Sequence, residues 1–152
     1  MRWQWSAFDE LSLTDLYALM ALRQEVFVVE QDCAYLDADG RDAAARHLLG
    51  WEGERLGAYL RAFAPGVEHP EAARDMVIGR VITAPFLRGT GLGRPLMAEG
   101  HRRCFATWGE GPIHISAQAH LERYYASLGY RVVGPGYDED GIPHLPMRRE
   151  EE

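Results

Sequence analysis

The stretch Arg80-Val81-Ile82-Thr83-Ala84-Pro85-Phe86-Leu87-Arg88-Gly89-Thr90-Gly91-Leu92-Gly93 constrains this chain more than any other. The Val- and Ile-rich run from Met76 to Ala84 reads as a buried strand. It stops at Pro85, which has no N–H for a sheet ladder. Three glycines follow at alternate positions, and a helical pattern then runs to about Thr107. Glycine lacks the Cβ that would keep a ligand away from the backbone. The first N–H groups of a helix have no partner within it and carry partial positive charge. A strand, a glycine turn and a helix N-terminus in that order suit a phosphate or pyrophosphate.

Composition narrows the kind of phosphate site. The 152 residues include no Lys and no Asn, so all 16 basic residues are Arg. A G-x-x-x-x-G-K-[ST] loop, a Schiff-base lysine, a protein-kinase site and an N-x-[ST] glycosylation site are therefore excluded. A dinucleotide fold asks for G-x-G-x-x-G. Gly89 and Gly91 meet its first two positions, but position 94 is Arg. The pattern R-x-x-G-x-G is met in full by Arg88, Gly91 and Gly93. The net charge of −7 argues against a nucleic-acid partner, since backbone binding asks for a basic face.

The remaining elements read as follows. Trp3, Trp5 and Ala7 alternate with polar residues in a half-buried first strand. Ser12, three residues before Asp15, marks a helix start, and that helix runs to about Val29. His47–Trp51 and Leu56–Ala64 form a hairpin, and Ile113–Ala117 a short strand. His120–Leu128 is a helix stopped by Gly129, Tyr130–Val133 a strand, Gly134–Gly141 a loop and His144–Arg148 a last strand. The order is β-α-β-β-β-α-β-α-β-β, one α/β domain over residues 1–152. Cys33 and Cys104 form no C-x-x-C, and no metal-ligand spacing stands out, so no metal is expected. The N-terminal residues lack a signal-peptide apolar stretch, and no run is long enough for a membrane span. The reading is a cytoplasmic protein, monomeric or homodimeric, without a membrane partner.

With Arg88, Gly91 and Gly93 in that pattern, the chain resembles the GNAT acyltransferase superfamily. A second motif supports the likeness: Tyr125-Ala126-Ser127-Leu128-Gly129-Tyr130 matches a Tyr four residues before a Gly followed by an aromatic. Leu22–Cys33, Tyr35–Asp42, His47-Leu48 and Glu139–His144 with Met147 are similar to the ElaA-like branch. The resemblance implies a mixed, mostly antiparallel central sheet flanked by helices. It also implies acetyl-CoA as co-substrate and an amine acceptor, small or peptidic, in a ternary complex.

The resemblance places the coenzyme on Arg88, Gly89, Thr90, Gly91, Leu92 and Gly93; Arg94 is a further candidate for a phosphate and reads equally as an exposed helix residue. It gives a backbone N–H of Val81, Ile82 or Thr83 to the thioester oxyanion and makes Tyr125 the general acid. Many members carry an Asn seven residues before that Tyr, against the pantetheine arm; here that position is Gln118. Gln keeps the amide donor and acceptor with one more methylene. The base stays open among Glu30 and Glu25 at the end of the first helix, Asp140 and His144 in the C-terminal motif, and a water chain. These acids form a candidate cation-binding wall; the competing reading of the Asp32–Asp42 cluster is a solvated loop, or a set of turn and helix caps. Two other function classes compete: a catalytically silent CoA-binding regulatory or interaction module, and a nucleotide-binding oxidoreductase.

Overall fold

The computed structural model describes residues 1–150. Strand β1 (Arg2–Ala7) leads into helix α1 (Leu13–Arg23), which Ser12 caps by accepting the Asp15 N–H at 3.0 Å. At Arg23 the helix widens into π-type turns, Gln24–Glu30, so the single helix expected to Val29 is two segments of different pitch. Strands β2 (Arg46–Glu52), β3 (Arg55–Phe63) and β4 (Met76–Thr83) follow. Then come helix α2 (Gly93–Trp108), strand β5 (Ile113–Gln118) and helix α3 (Glu122–Ala126). The chain ends with β6 (Tyr130–Val132), β7 (Tyr137–Glu139) and β8 (Ile142–Arg149).

Two expectations need correction. The helix expected over 120–128 is a 3₁₀ turn, Ala119–Leu121, followed by the short α3. The segment read as a loop contains β7, paired with β8 through Tyr137↔His144 and Glu139↔Ile142. Its turn is Asp140-Gly141, both with positive φ (52° and 83°), as a tight hairpin requires.

The eight strands form one sheet in the order β1-β2-β3-β4-β5-β8-β6, with β7 added on β8. Every pairing is antiparallel except β4 with β5. Helices α2 and α3 cover one face over a core that includes Leu60, Ile78, Leu96, Met97, Ile115, Tyr125 and Met147. The first helical segments cover the other, over Leu19, Leu22, Val26, Tyr59 and Ile82. Burying apolar side chains on both faces holds the three layers together. Among the described residues, no helix is long and apolar enough to cross a membrane.

Candidate active site

The parallel pair is the weak seam of the sheet. Among the described residues, β4 and β5 pair only at Met76↔Ile113 and Val77↔His114. Beyond these positions β4 continues to Thr83 and β5 to Gln118 without pairing, so their edge N–H and C=O groups face a widening gap. The glycine turn stands at the open end of that gap, directly after β4.

Gly89 (φ +81°) and Gly91 (φ +79°) are left-handed, a region other residues enter at a cost. Added Cβ atoms there would meet nothing within 4 Å, so the loop backbone is open to a ligand. Thr90 shapes the turn by donating its hydroxyl to the Leu87 carbonyl at 2.6 Å. Gly93 has another reason to be Gly: a Cβ there would lie 2.7 Å from the Tyr124 hydroxyl. Leu92 is the N-cap of α2, and no acidic residue occupies the first turn. Arg94 donates to the Ser127 hydroxyl at 2.9 Å and lies over the Tyr124 ring, tying α3 to the start of α2.

Tyr125 is buried between Tyr124 and Tyr130, with ring centroids 5.2 and 5.9 Å away. Burial, with Tyr124 adding to it, pushes its phenol up to about 12, so it keeps its proton at neutral pH. Gln118 ends β5 directly opposite His144 on β8, so the two side chains share a sheet face. Tyr125, Ile115 and Met147 belong to the core on the other face.

His144 is nearly buried. Its Nδ1 donates to the Ile142 carbonyl at 2.7 Å, and Nε2 lies 3.3 Å from Glu139. Its ring stacks on Tyr137, whose hydroxyl bonds Ser116. His144, Tyr137 and Asp138 border an open cavity of about 380 Å³. A larger cavity of about 480 Å³, bordered by His69, Asp75, His114 and Arg148, lies at the paired end of β4 and β5, away from the glycine turn.

Arg88 and Glu30 meet in a two-point pair, Nη1–Oε2 2.8 Å and Nη2–Oε1 2.6 Å. The hydrogen bonds from Arg88 hold the Glu30 carboxyl below the usual carboxylate range. Of the candidate bases, Glu30 is thus bound to the arginine expected to meet the coenzyme, whereas His144 Nε2 faces the Glu139 carboxylate at 3.3 Å beside an open cavity.

The acids of the 37–42 segment are neither a cation-binding wall nor a solvated loop. Arg23 donates to Asp37 (2.7 Å) and Asp42 (2.6 Å), and Arg61 to Asp39 (2.6 Å) and Asp42 (3.0 Å). Arg80 donates to Asp37 at 2.9 Å. Three guanidinium groups balance three carboxylates in a mostly buried cluster. Burial pushes the Asp39 and Asp42 carboxyls up. The arginines outweigh that and hold both below the usual carboxylate range. The clue in the sequence was a charged residue inside each apolar run: Arg23, Arg61 and Arg80. Tyr137 was missed with its strand. Among the described residues, no group of three or more His, Cys, Asp or Glu side chains is placed to hold a metal ion.

Comparison with known proteins gives the family. The family model for the acetyltransferase (GNAT) domain matches residues 62–151. The chain is a member of the GNAT superfamily. It is 43% identical to the Protein ElaA of Escherichia coli strain K12, across 99% of this chain and 97% of that one. The crystal structure of E. coli ElaA superposes with a TM-score of 0.88, covering 98% of this chain and 99% of that one. An acyl-CoA N-acyltransferase from Pseudomonas aeruginosa is 42% identical with a TM-score of 0.89 over the same shares. The mixed, mostly antiparallel sheet flanked by helices is thus the GNAT fold, and the chain belongs with the ElaA relatives.

Proposed function

We propose that the protein transfers an acetyl group from acetyl-CoA to a primary amine within a ternary complex. The observation that carries this reading is the gap between β4 and β5 opening beside a bare-backbone turn at the α2 N-terminus. A pyrophosphate is met there by N–H groups of Gly89–Gly93 and by Arg88 and Arg94. The pantetheine arm lies between the strands, its amides facing the unpaired edge of Val81–Thr83 and the Gln118 side chain.

In the reaction, the neutral amine attacks the thioester carbon; a C–N bond forms and the C–S bond breaks. The oxygen, negatively charged in the transition state, accepts from a β4 backbone N–H. The proton lost by the amine goes to His144 Nε2, which the Nδ1 bond to Ile142 leaves available. Tyr125 faces the sulfur. Burial makes the Tyr125 phenol hold its proton more tightly than a free phenol, so full proton transfer to a thiolate is uphill. The phenol therefore acts as a hydrogen-bond donor to the sulfur as charge builds, and the released thiolate takes its proton from solvent, to which His144 returns the one it accepted from the amine. Glu139 and Asp138 beside His144 favour a cationic acceptor that loses its proton on arrival.

The test is release of free thiol from acetyl-CoA across a panel of small amines and peptides with free N-termini, together with calorimetric binding of acetyl-CoA. Thiol release that depends on an amine supports the reading. Binding without turnover on any amine favours a silent coenzyme-binding module, and no binding overturns both.

A further inference from the structure

Between β3 and β4 the register runs Tyr59↔Ile82 and then Arg61↔Gly79. Arg80 and Val81 thus stand opposite the single residue Leu60, a β-bulge. Its consequence is visible in the core. Ile78 packs on the α2 face, yet Ile82, four residues on, packs on the α1 face. In a regular strand the two would share a face. The bulge shifts the phase by one residue and brings Val81 against the α2-side core. The strand edge therefore turns just where β4 has parted from β5.

The bulge has a price at Arg80, whose φ is +53°. Among the described residues two other non-glycine residues are left-handed, Asp32 and Asp140; Asp accepts that region readily, and Asp140 sits in a hairpin turn. Arg80 does so inside a strand, with Gly79 next to it. A backbone that needed only the left-handed angle is served by glycine, so the side chain at position 80 has a task of its own.

That side chain is clamped. Nε donates to Asp37 Oδ1 at 2.9 Å, and Nη2 to the Asp37 carbonyl at 3.3 Å and to Asp39 at 3.5 Å. The guanidinium also faces the Phe27 ring. Asp37 is fixed in turn: its side chain is 1% exposed, Arg23 holds Oδ2 and the carbonyl, and Tyr35 donates to Oδ1 at 3.2 Å.

We propose that Arg80 is a positioning residue: anchored on Asp37, it holds the β4 bulge that aims the N–H groups of Val81–Thr83 into the gap, where the acyl oxygen develops charge. This rests on the acyl-transfer reading above. It adds a second requirement, that the ion cluster of the 37–42 segment serves the strand edge across the sheet.

Arg80→Gly relaxes the backbone and removes the clamp; Arg80→Lys keeps the charge but cannot span Asp37 side chain and carbonyl. The expected result for Arg80→Gly is at least a tenfold fall in kcat, with acetyl-CoA Kd changed less than twofold and Arg80→Lys falling between. Amide hydrogen exchange at Val81 and Ile82 rises at least tenfold in Arg80→Gly while the amides of β2 keep their protection. Wild-type kcat in both variants, or kcat and coenzyme affinity falling together, overturns the proposal. So does unchanged exchange at Val81 and Ile82, a readout that holds even if no amine is turned over. Should Arg80→Gly fail to fold, Arg80→Lys decides on the same measurements. A wild-type protein that releases no thiol counts against the acyl-transfer reading, and the exchange data then judge the clamp alone.

Discussion

Glu30 holds both carboxylate oxygens against the guanidinium of Arg88, at 2.6 and 2.8 Å, across the mouth of the glycine turn. A carboxylate thus occupies the cation that the proposed function assigns to a coenzyme phosphate, and on that proposal the two compete for one guanidinium. Both side chains are more than 40% exposed, so the pair is screened and worth at most about 1 kcal/mol. Glu30→Gln is expected to tighten acetyl-CoA binding up to about fivefold at low salt, with the gain fading as salt rises. Calorimetry over a salt series checks this. Weaker binding in the variant would show that Glu30 assists the coenzyme instead.

Tyr125→Phe removes a hydroxyl while keeping the ring that packs on Tyr124 and Tyr130. The expected outcome is a fall in kcat of at least tenfold with Kd for acetyl-CoA unchanged within twofold. His144→Gln lowers kcat as well, by about 10²-fold or more for a lost general base. Steady-state kinetics beside calorimetry separates both effects from coenzyme binding. A Phe variant at full speed removes the hydroxyl from the mechanism.

Gly91 and Gly93 are glycine for different reasons, and substitution distinguishes them. Gly91→Val forces a β-branched residue to φ +79° and closes the loop backbone, so acetyl-CoA binding is expected to be lost in calorimetry. Gly93→Ala strains the α2–α3 contact at the Tyr124 hydroxyl, so thermal stability falls first. Retained coenzyme affinity in Gly91→Val would remove the loop from the phosphate site.

Much of this site is legible in the sequence because it is local. A strand, glycines at fixed offsets and a helix start lie within fourteen consecutive residues, and the Ser12 cap and the β2–β3 hairpin are equally local. The β7–β8 hairpin was also signalled, by Asp140-Gly141, but the segment carries few apolar residues and reads as loop. What stays hidden is long-range. The Arg23–Asp37–Arg80 cluster joins a helix, a loop and a strand, and no spacing rule links residues 14 and 43 positions apart. The bulge at Arg80 exists only relative to β3, so its phase shift cannot be read from β4 alone. The pairing of Glu30 with Arg88 is similarly invisible, since either residue alone suits several roles.

One buried and one half-buried histidine, both held neutral, make stability depend on pH. His101 on α2 bonds the Tyr130 hydroxyl at 2.8 Å; burial first, then Arg149, lowers it to about 4. His47, bonded to Tyr59 and the Asp42 carbonyl, is lowered by burial too. As pH falls below about 6.5, the unfolded chain takes up protons that the folded chain refuses, so folding weakens. For His101 the loss starts near pH 6.5 and is complete near pH 4. It amounts to at most about 1.4 kcal/mol per pH unit and roughly 3 kcal/mol in all. Asp39 and Asp42, held below the usual range, contribute stability above about pH 4 that is lost only in stronger acid. Urea unfolding midpoints at pH 7, 6, 5 and 4.5 should fall steadily. His101→Leu should start lower at pH 7, having lost a hydrogen bond, but decline less by up to one proton. Equal slopes for the two proteins would mean that His101 takes up its proton over the same pH range in the folded and unfolded chains, and that the acid sensitivity arises elsewhere.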